Sequence, residues 1–223
     1  MPAESFTYTT FDVYEQVRAL FGDTSGAQIT DQMVLRWINN GQQEIVNNNP
    51  ILKDTKYGDI VANQSEYTFP DDKVQYIEAV YVESRPIRNL TPQAFRAYIL
   101  DDDPTIQAKS SYPDVWYERA GVITFYPTPE VSYTNGLKLE FVKQPDKKIL
   151  ISTSEILSVP DRYLNELVSD VMTQALELDE NYAGAELKRS QFREGLDRQS
   201  LNENIAQISS YPQVMPDPED YYV

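Results

Sequence analysis

Several segments within residues 51–154 alternate apolar and polar side chains as strands do, and helical patterns flank this stretch on both sides. The alternation is carried by EYTF (66–69), QYIEAVYV (75–82), VITFY (122–126) and LKLEFV (137–142). A period of two is what a half-buried strand requires, since successive side chains point to opposite faces. Pro70, Pro113, Pro127, Pro129 and Asn135-Gly136 punctuate the stretch where strands must stop or turn. The ends of a β domain generally lie close together, so the helices before and after it should meet in space. The expected class is α+β: a helical bundle built from the N- and C-terminal helices, an inserted antiparallel β domain and an extended C-terminal arm. The expected boundaries are 1–50 and 156–208 for the discontinuous bundle, 51–155 for the β domain and 209–223 for the arm.

The first helix is expected from Thr10 or Asp12, with Asp12 and Glu15 spaced as a capping box. Val13, Val17 and Leu20 share its apolar face, and Gly22 suits its left-handed end. Thr30 should cap a second helix, with Asp31 in its first turn and Val34, Ile38, Gly41 and Ile45 as its buried stripe. That helix ends at Asn49-Pro50, because a residue before proline disfavours helical geometry. Within the β region, TPQAFRAYIL (91–100) has a capping threonine, a proline at the first helical position and helical spacing, which predicts one short helix.

After the β region, SVPD (158–161) opens the most regular helix, with Leu164, Leu167, Val168, Val171, Met172, Ala175 and Leu178 as a continuous stripe. A bend is expected at Asp179-Glu180-Asn181. The last helix, about 183–208, is different: Leu187, Phe192, Leu196, Leu201, Ile205 and Ile208 form a sparse, drifting stripe amid charges. Such a helix either packs against another subunit or stays a solvated outer helix. The tail, SSYPQVMPDPEDYYV, carries three prolines and should be extended. It is either a frayed terminus or a docking arm that orders on a partner groove, and its Tyr, Val and Met content speaks for the arm.

Composition narrows the chemistry. The 223 residues are 41% apolar, enough for a core, and no apolar run approaches a membrane span. The N-terminus has neither a basic region nor a hydrophobic segment, so synthesis in a cytoplasm is expected. There is no cysteine and no histidine. That removes disulfides, thiolate chemistry, the Ser-His-Asp triad and the usual zinc ligands. A net charge of −16 and a pI near 4.3 oppose broad phosphate binding.

No glycine cluster forms a phosphate-binding loop. Asp101-Asp102-Asp103 offers oxygens but lacks the spaced ligands of a calcium loop. Asp114, Glu118 and Glu140 do not stand out from the other acids as a hydrolytic pair. Trp116, Tyr117 and Tyr126 could stack on sugars, although aromatic residues in alternating strands more often fill a core. The expected catalytic, metal and cofactor sets are therefore empty.

Several passages carry a resemblance: ITDQMVLRWINNGQQEI (29–45) with its Asn-x-Gly-Gln-x-Glu segment, YTFPDD (67–72), ITFYPTP (123–129) and SVPDRY (158–163). In phrasing and in order of parts the chain resembles the head-to-tail adaptor proteins of tailed bacteriophages, in particular the tail-tubular A-like proteins of short-tailed phages. The resemblance implies a structural virion protein of the neck, made in the bacterial host. It implies a ring of about twelve copies between the portal and the tail nozzle or tube protein, with genomic DNA crossing the lumen without sequence-specific binding. It implies no membrane and no cofactor. It would place Tyr211, Pro212, Val214, Met215, Tyr221 and Tyr222 on the portal. Three rivals stand beside it: a glycan-binding β-sandwich that needs an exposed Trp116, a tail-completion or terminator subunit, and a carboxylate-only hydrolase.

Overall fold

A computed structural model describes residues 5–23, 28–68, 73–101, 109–110 and 112–210. The protein is mixed α+β, and its chain divides into two compact units. One comprises Met1–Asn49 with Asp146–Val223, the other Pro50–Pro145.

The second unit holds the strands. Its main sheet has the order β1 (Lys53–Ile60), β9 (Tyr133–Lys143), β3 (Val74–Val82), β4 (Arg85–Asn89), β6 (Val115–Arg119), β7 (Val122–Tyr126) and β2 (Glu66–Thr68). A two-stranded piece pairs β5 (Lys109–Ser110) with β8 (Thr128–Pro129). The inward faces supply one core from Ile77, Val80, Val82, Trp116, Phe125, Leu139 and Phe141 among others. Because β1 pairs antiparallel with β9, Lys53 opposite Val142, the entry and exit of this unit run side by side. Lys143 N–H closes the gap by donating to the Leu52 carbonyl at 2.8 Å.

Most of the described strand pairs are antiparallel, as expected, and two are not. β4 and β6 pair in parallel through Arg88 and Asn89, and so do β5 and β8. A parallel pair needs a crossover rather than a hairpin, and α3 (Pro92–Asp101) lies in that connection. As the sequence indicates, Thr91 caps α3, its Oγ1 accepting from Ala94 N–H at 3.2 Å. Asn135-Gly136 is not a turn between strands but lies inside β9, where the register with β1 slips between Gly58 and Ile60. Asn135 has φ 53°, and its N–H is held by the Asp59 carboxylate at 2.7 Å. The pair makes a bulge rather than a hairpin.

In the helical unit, α4 (Leu164–Leu178) packs against α1 (Thr10–Phe21), α2 (Asp31–Asn48) and α5 (Tyr182–Ser210). Val13 and Val17 of α1, Val34, Ile38 and Ile45 of α2, and Leu167, Val171 and Ala175 of α4 are buried. Gly41 belongs to this packing: a Cβ there would sit 2.7 Å from Leu167 Cδ1 and 2.9 Å from Asp170 Oδ2, so a larger residue would have to displace both side chains. Leu20 and Leu178, each in the last turn of its helix, are exposed rather than part of the stripe. Residues 146–155, assigned by the sequence reading to the β region, group with the helices. Thr10 Oγ1 bonds the carbonyls of Leu150 and Ser152, and Thr9 bridges Ile156.

Helix α1 is capped one turn earlier than its Asp12–Glu15 spacing indicates. Thr9 is the N-cap and Asp12 the reciprocal partner, because the chain is extended at Thr9, where it bridges Ile156. Gly22 ends the helix at φ 84° as expected. Replacing Thr9 by Ala should cost about 1 kcal/mol, and Asp12→Ala a similar amount. Urea unfolding of the two variants and the double variant would show the coupling of a reciprocal box; full additivity would refute it.

Candidate assembly surfaces

Helix α5 explains its own irregular spacing. Phe192 and Leu196 are 6% and 5% exposed and, with Ala185, face the unit's interior, whereas Leu187 and Leu201 are 60% and 61% exposed. At 100° per residue, Leu187 and Leu201 fall on the side opposite Phe192 and Leu196. Ile205 stands a whole number of turns beyond Leu187, at the same register. The drifting stripe is therefore two stripes on one helix. Phe192 and Leu196 belong to the protomer's own core and leave the outer face to Leu187 and Leu201.

The inner stripe is held by a polar contact that the sequence did not advertise. Asn49, the C-cap of α2, is buried, and its Nδ2 donates to Tyr163 Oη and to the Leu196 carbonyl, each at 3.2 Å. Across from Gly41 of α2, Asp170 of α4 is half-buried. Burial pushes its carboxyl up to about 6, aided by Glu44 and Glu177 and opposed by a hydrogen bond from Gln174 and by Arg189. Arg189 of α5 pairs with Glu177 and, at 3.0 Å, with Glu186, which fastens α5 to the end of α4.

On the side of α2 turned away from α4 lies a groove of about 540 Å³, lined by Leu35, Arg36, Asn39, Lys147, Lys148 and Ile149 among others. Its floor is built by a reciprocal pair: Asn39 Nδ2 donates to the Lys148 carbonyl at 3.0 Å and Lys148 N–H donates back to Asn39 Oδ1 at 2.7 Å. Asp146 N–H is pinned by Ser158 Oγ, and Ser158 N–H by Gln42 Oε1.

A second anchor fixes the N-terminal segment. Asp161 accepts from Thr7 N–H at 2.7 Å, Thr7 Oγ1 at 2.6 Å and Tyr8 N–H at 3.2 Å. Burial would raise this carboxyl, but the bonds from Thr7, Ser5 and Tyr8 outweigh it and hold it at about 2. Trp116 is 1% exposed, and its Nε1–H donates to the Ile87 carbonyl at 3.1 Å, so it fills the sheet's core and cannot stack on a sugar.

Residues 8–216 match the family described as SU10 adaptor protein. The chain belongs to this family. No curated protein shows significant similarity to it. As an SU10-type adaptor it is a structural component of a phage virion. Among the described residues no helix is long and apolar enough to cross a membrane.

For the adaptor, the expected site residues divide in three. Leu187 and Leu201 stand outward, Phe192 and Leu196 stand inward, and Ile205 and Ile208 continue α5 along its backbone. Ser209 and Ser210, placed in the arm by the sequence reading, are the end of α5. Tyr211, Pro212, Val214, Met215, Tyr221 and Tyr222 lie outside the described residues, as do Asp102 and Asp103. The groove beside α2 went unnoticed in the sequence, because its lysines and its α2 residues are far apart in the chain. The short basic-apolar run Lys147-Lys148-Ile149-Leu150, in so acidic a protein, was the signal available.

Proposed function

We propose that the protein is a neck adaptor: a helical bundle carrying an inserted β domain, assembled as a closed ring of about twelve copies between portal and tail, with the genome passing through its lumen. Membership of a phage adaptor family supports the general role. The observation that carries the finer reading is the two-faced α5, which gives one apolar face to its own core and keeps Leu187 and Leu201 for a neighbour. The C-terminal residues Tyr211, Pro212, Val214, Met215, Tyr221 and Tyr222 dock on the portal in this reading. The net charge of −16 keeps phosphate from adhering to the lumen.

The native mass of the full chain, alone and mixed with the portal of the same phage, tests it. A small species that becomes ring-sized on the portal supports an adaptor that assembles on docking. A chain carrying Leu187→Glu and Leu201→Glu should keep its helical spectrum and lose at least about tenfold in assembly, as truncated interface anchors do. Absence of any association with portal sinks the neck assignment. Undiminished assembly of the double variant sinks the role given to α5.

A further inference from the structure

We infer that the groove beside α2 is the socket of the copy-to-copy contact, and that its occupant is the α4–α5 corner of a second copy of this chain. The inference rests on the ring reading and specifies which surfaces close it.

The groove is cationic in a strongly anionic protein. Arg36, Lys147 and Lys148 line it, and among the described residues none of the three is ion-paired. Apolar surface lies between the charges: Leu35 is half-buried, and Ile149, 72% exposed, stands at the rim next to exposed Leu150. The Asn39–Lys148 pair makes the floor a formed surface, so little ordering cost remains for a ligand to meet.

The corner has the opposite character. α4 ends at Leu178 and α5 begins at Tyr182, and both of these side chains are exposed. Between them stand the exposed carboxylates of Asp179 and Glu180. The turn is well fastened, with Asn181 N–H donating to the Leu176 carbonyl at 2.9 Å and Arg189 binding Glu177. Two apolar side chains flanking two negative charges match a groove with apolar walls and three positive charges.

The socket and the corner are different surfaces. The socket lies on the outer side of α2, and the corner lies at the end of α4, which packs on the inner side of α2. A contact between unlike surfaces leaves a socket free on one copy and a corner free on the next, so it propagates until a ring closes. Complementary charge fixes the register of such a contact and repels the wrong pairing of socket to socket or corner to corner. Duplex DNA and a basic peptide each match only one of the two surfaces.

Charge exchange tests this in the full chain. Lys147→Glu with Lys148→Glu makes socket and corner both acidic; Asp179→Lys with Glu180→Lys makes both basic. Each pair should weaken self-association at least about tenfold, measured as native mass by sedimentation alone and on the portal, with an unchanged helical spectrum. The chain carrying all four substitutions should recover to within about threefold of the original, as should an equimolar mixture of the two double variants. Added salt should weaken the original contact.

Rings that persist in both double variants overturn the socket while leaving the ring reading intact. Failure of the fourfold chain and the mixture to recover overturns the pairing of these two surfaces. Loss of portal binding with self-association intact assigns the groove to the portal and overturns the proposal. An original chain that forms no multi-subunit species, alone or on portal, overturns both readings together.

Discussion

Replacing Trp116 with alanine is expected to lower the stability of the β unit by about 3–5 kcal/mol, the range for emptying a large buried aromatic site. Trp116 is among the largest side chains in the protein with almost no exposure, and it packs among Ile77, Val80, Ile87, Ile123, Phe125 and Phe141. Its removal leaves a cavity and also strips the Ile87 carbonyl of a buried donor. For a unit of this size the loss corresponds to a fall in melting temperature of more than about 10 °C in calorimetry. Trp116→Phe keeps most of the volume and should cost less, about 1–3 kcal/mol, chiefly the unmet carbonyl. Near-equal melting of Trp116→Ala and the original protein would mean that the residue is not in the core, and would reopen the sugar-stacking reading.

The second large effect depends on pH. In the folded protein Asp170 titrates at about 6, above the ordinary value of 3.8, because burial and its acidic neighbours penalise the carboxylate. Below about pH 4 both folded and unfolded chains hold the proton, and the group has no influence on stability. Between about 4 and 6 the folded chain keeps a proton that the unfolded chain has released, so stability falls as pH rises. Above 6 the penalty is complete, on the order of 2–3 kcal/mol. Asp170→Asn preserves an acceptor for Gln174 Nε2, which donates to Asp170 at 2.9 Å, and removes the charge. The variant should therefore be more stable than the original at pH 7–8, with the gain shrinking towards zero near pH 4. Denaturation at the two pH values decides it: an equal gain at both would show that the charge is not the cause.

The parts of the fold that were legible in sequence are those where one residue type serves one geometric purpose. Thr30 and Thr91 accept from the N–H groups of Met33 and Ala94, and Gly22 takes the left-handed angle that ends α1. β3, β7 and β9 bury alternate residues and were visible by period alone. β1 was not, because as an edge strand with sequence KDTKYGDI it buries little apart from Ile60. β4 was hidden twice. Its turn uses Glu83 and Ser84, both at positive φ, in place of the usual Asn-Gly, and Pro86 reads as a breaker. Proline is tolerated there because β6 joins β4 only from Arg88 onward, so at Pro86 one side of the strand is open.

On the candidate surfaces, the sequence exposed the anomaly of α5 but not its resolution. Spacings of five, four, five and four are what two stripes on opposite faces produce when they are merged, and only the packing of Phe192 and Leu196 against α4 separates them. The buried Asn49 that holds α5 in place looked like a helix terminator alone, since its partners at Tyr163 and Leu196 are more than a hundred residues away in the chain.

The order of the chain also imposes an order of events on the ribosome. Residues 50–145 are contiguous, so the β unit has all its strands as soon as β9 emerges. The helical unit has no such freedom: α1 and α2 emerge first, yet the helix that covers Val13, Val17, Val34 and Ile38 is α4, made only after the whole β unit. At ordinary elongation rates those apolar faces wait on the order of ten seconds for their partner. During that interval the nascent chain carries every strand of the β unit and two helices whose apolar faces still lack α4, and exposed apolar surface of that kind is what makes incomplete chains prone to aggregate.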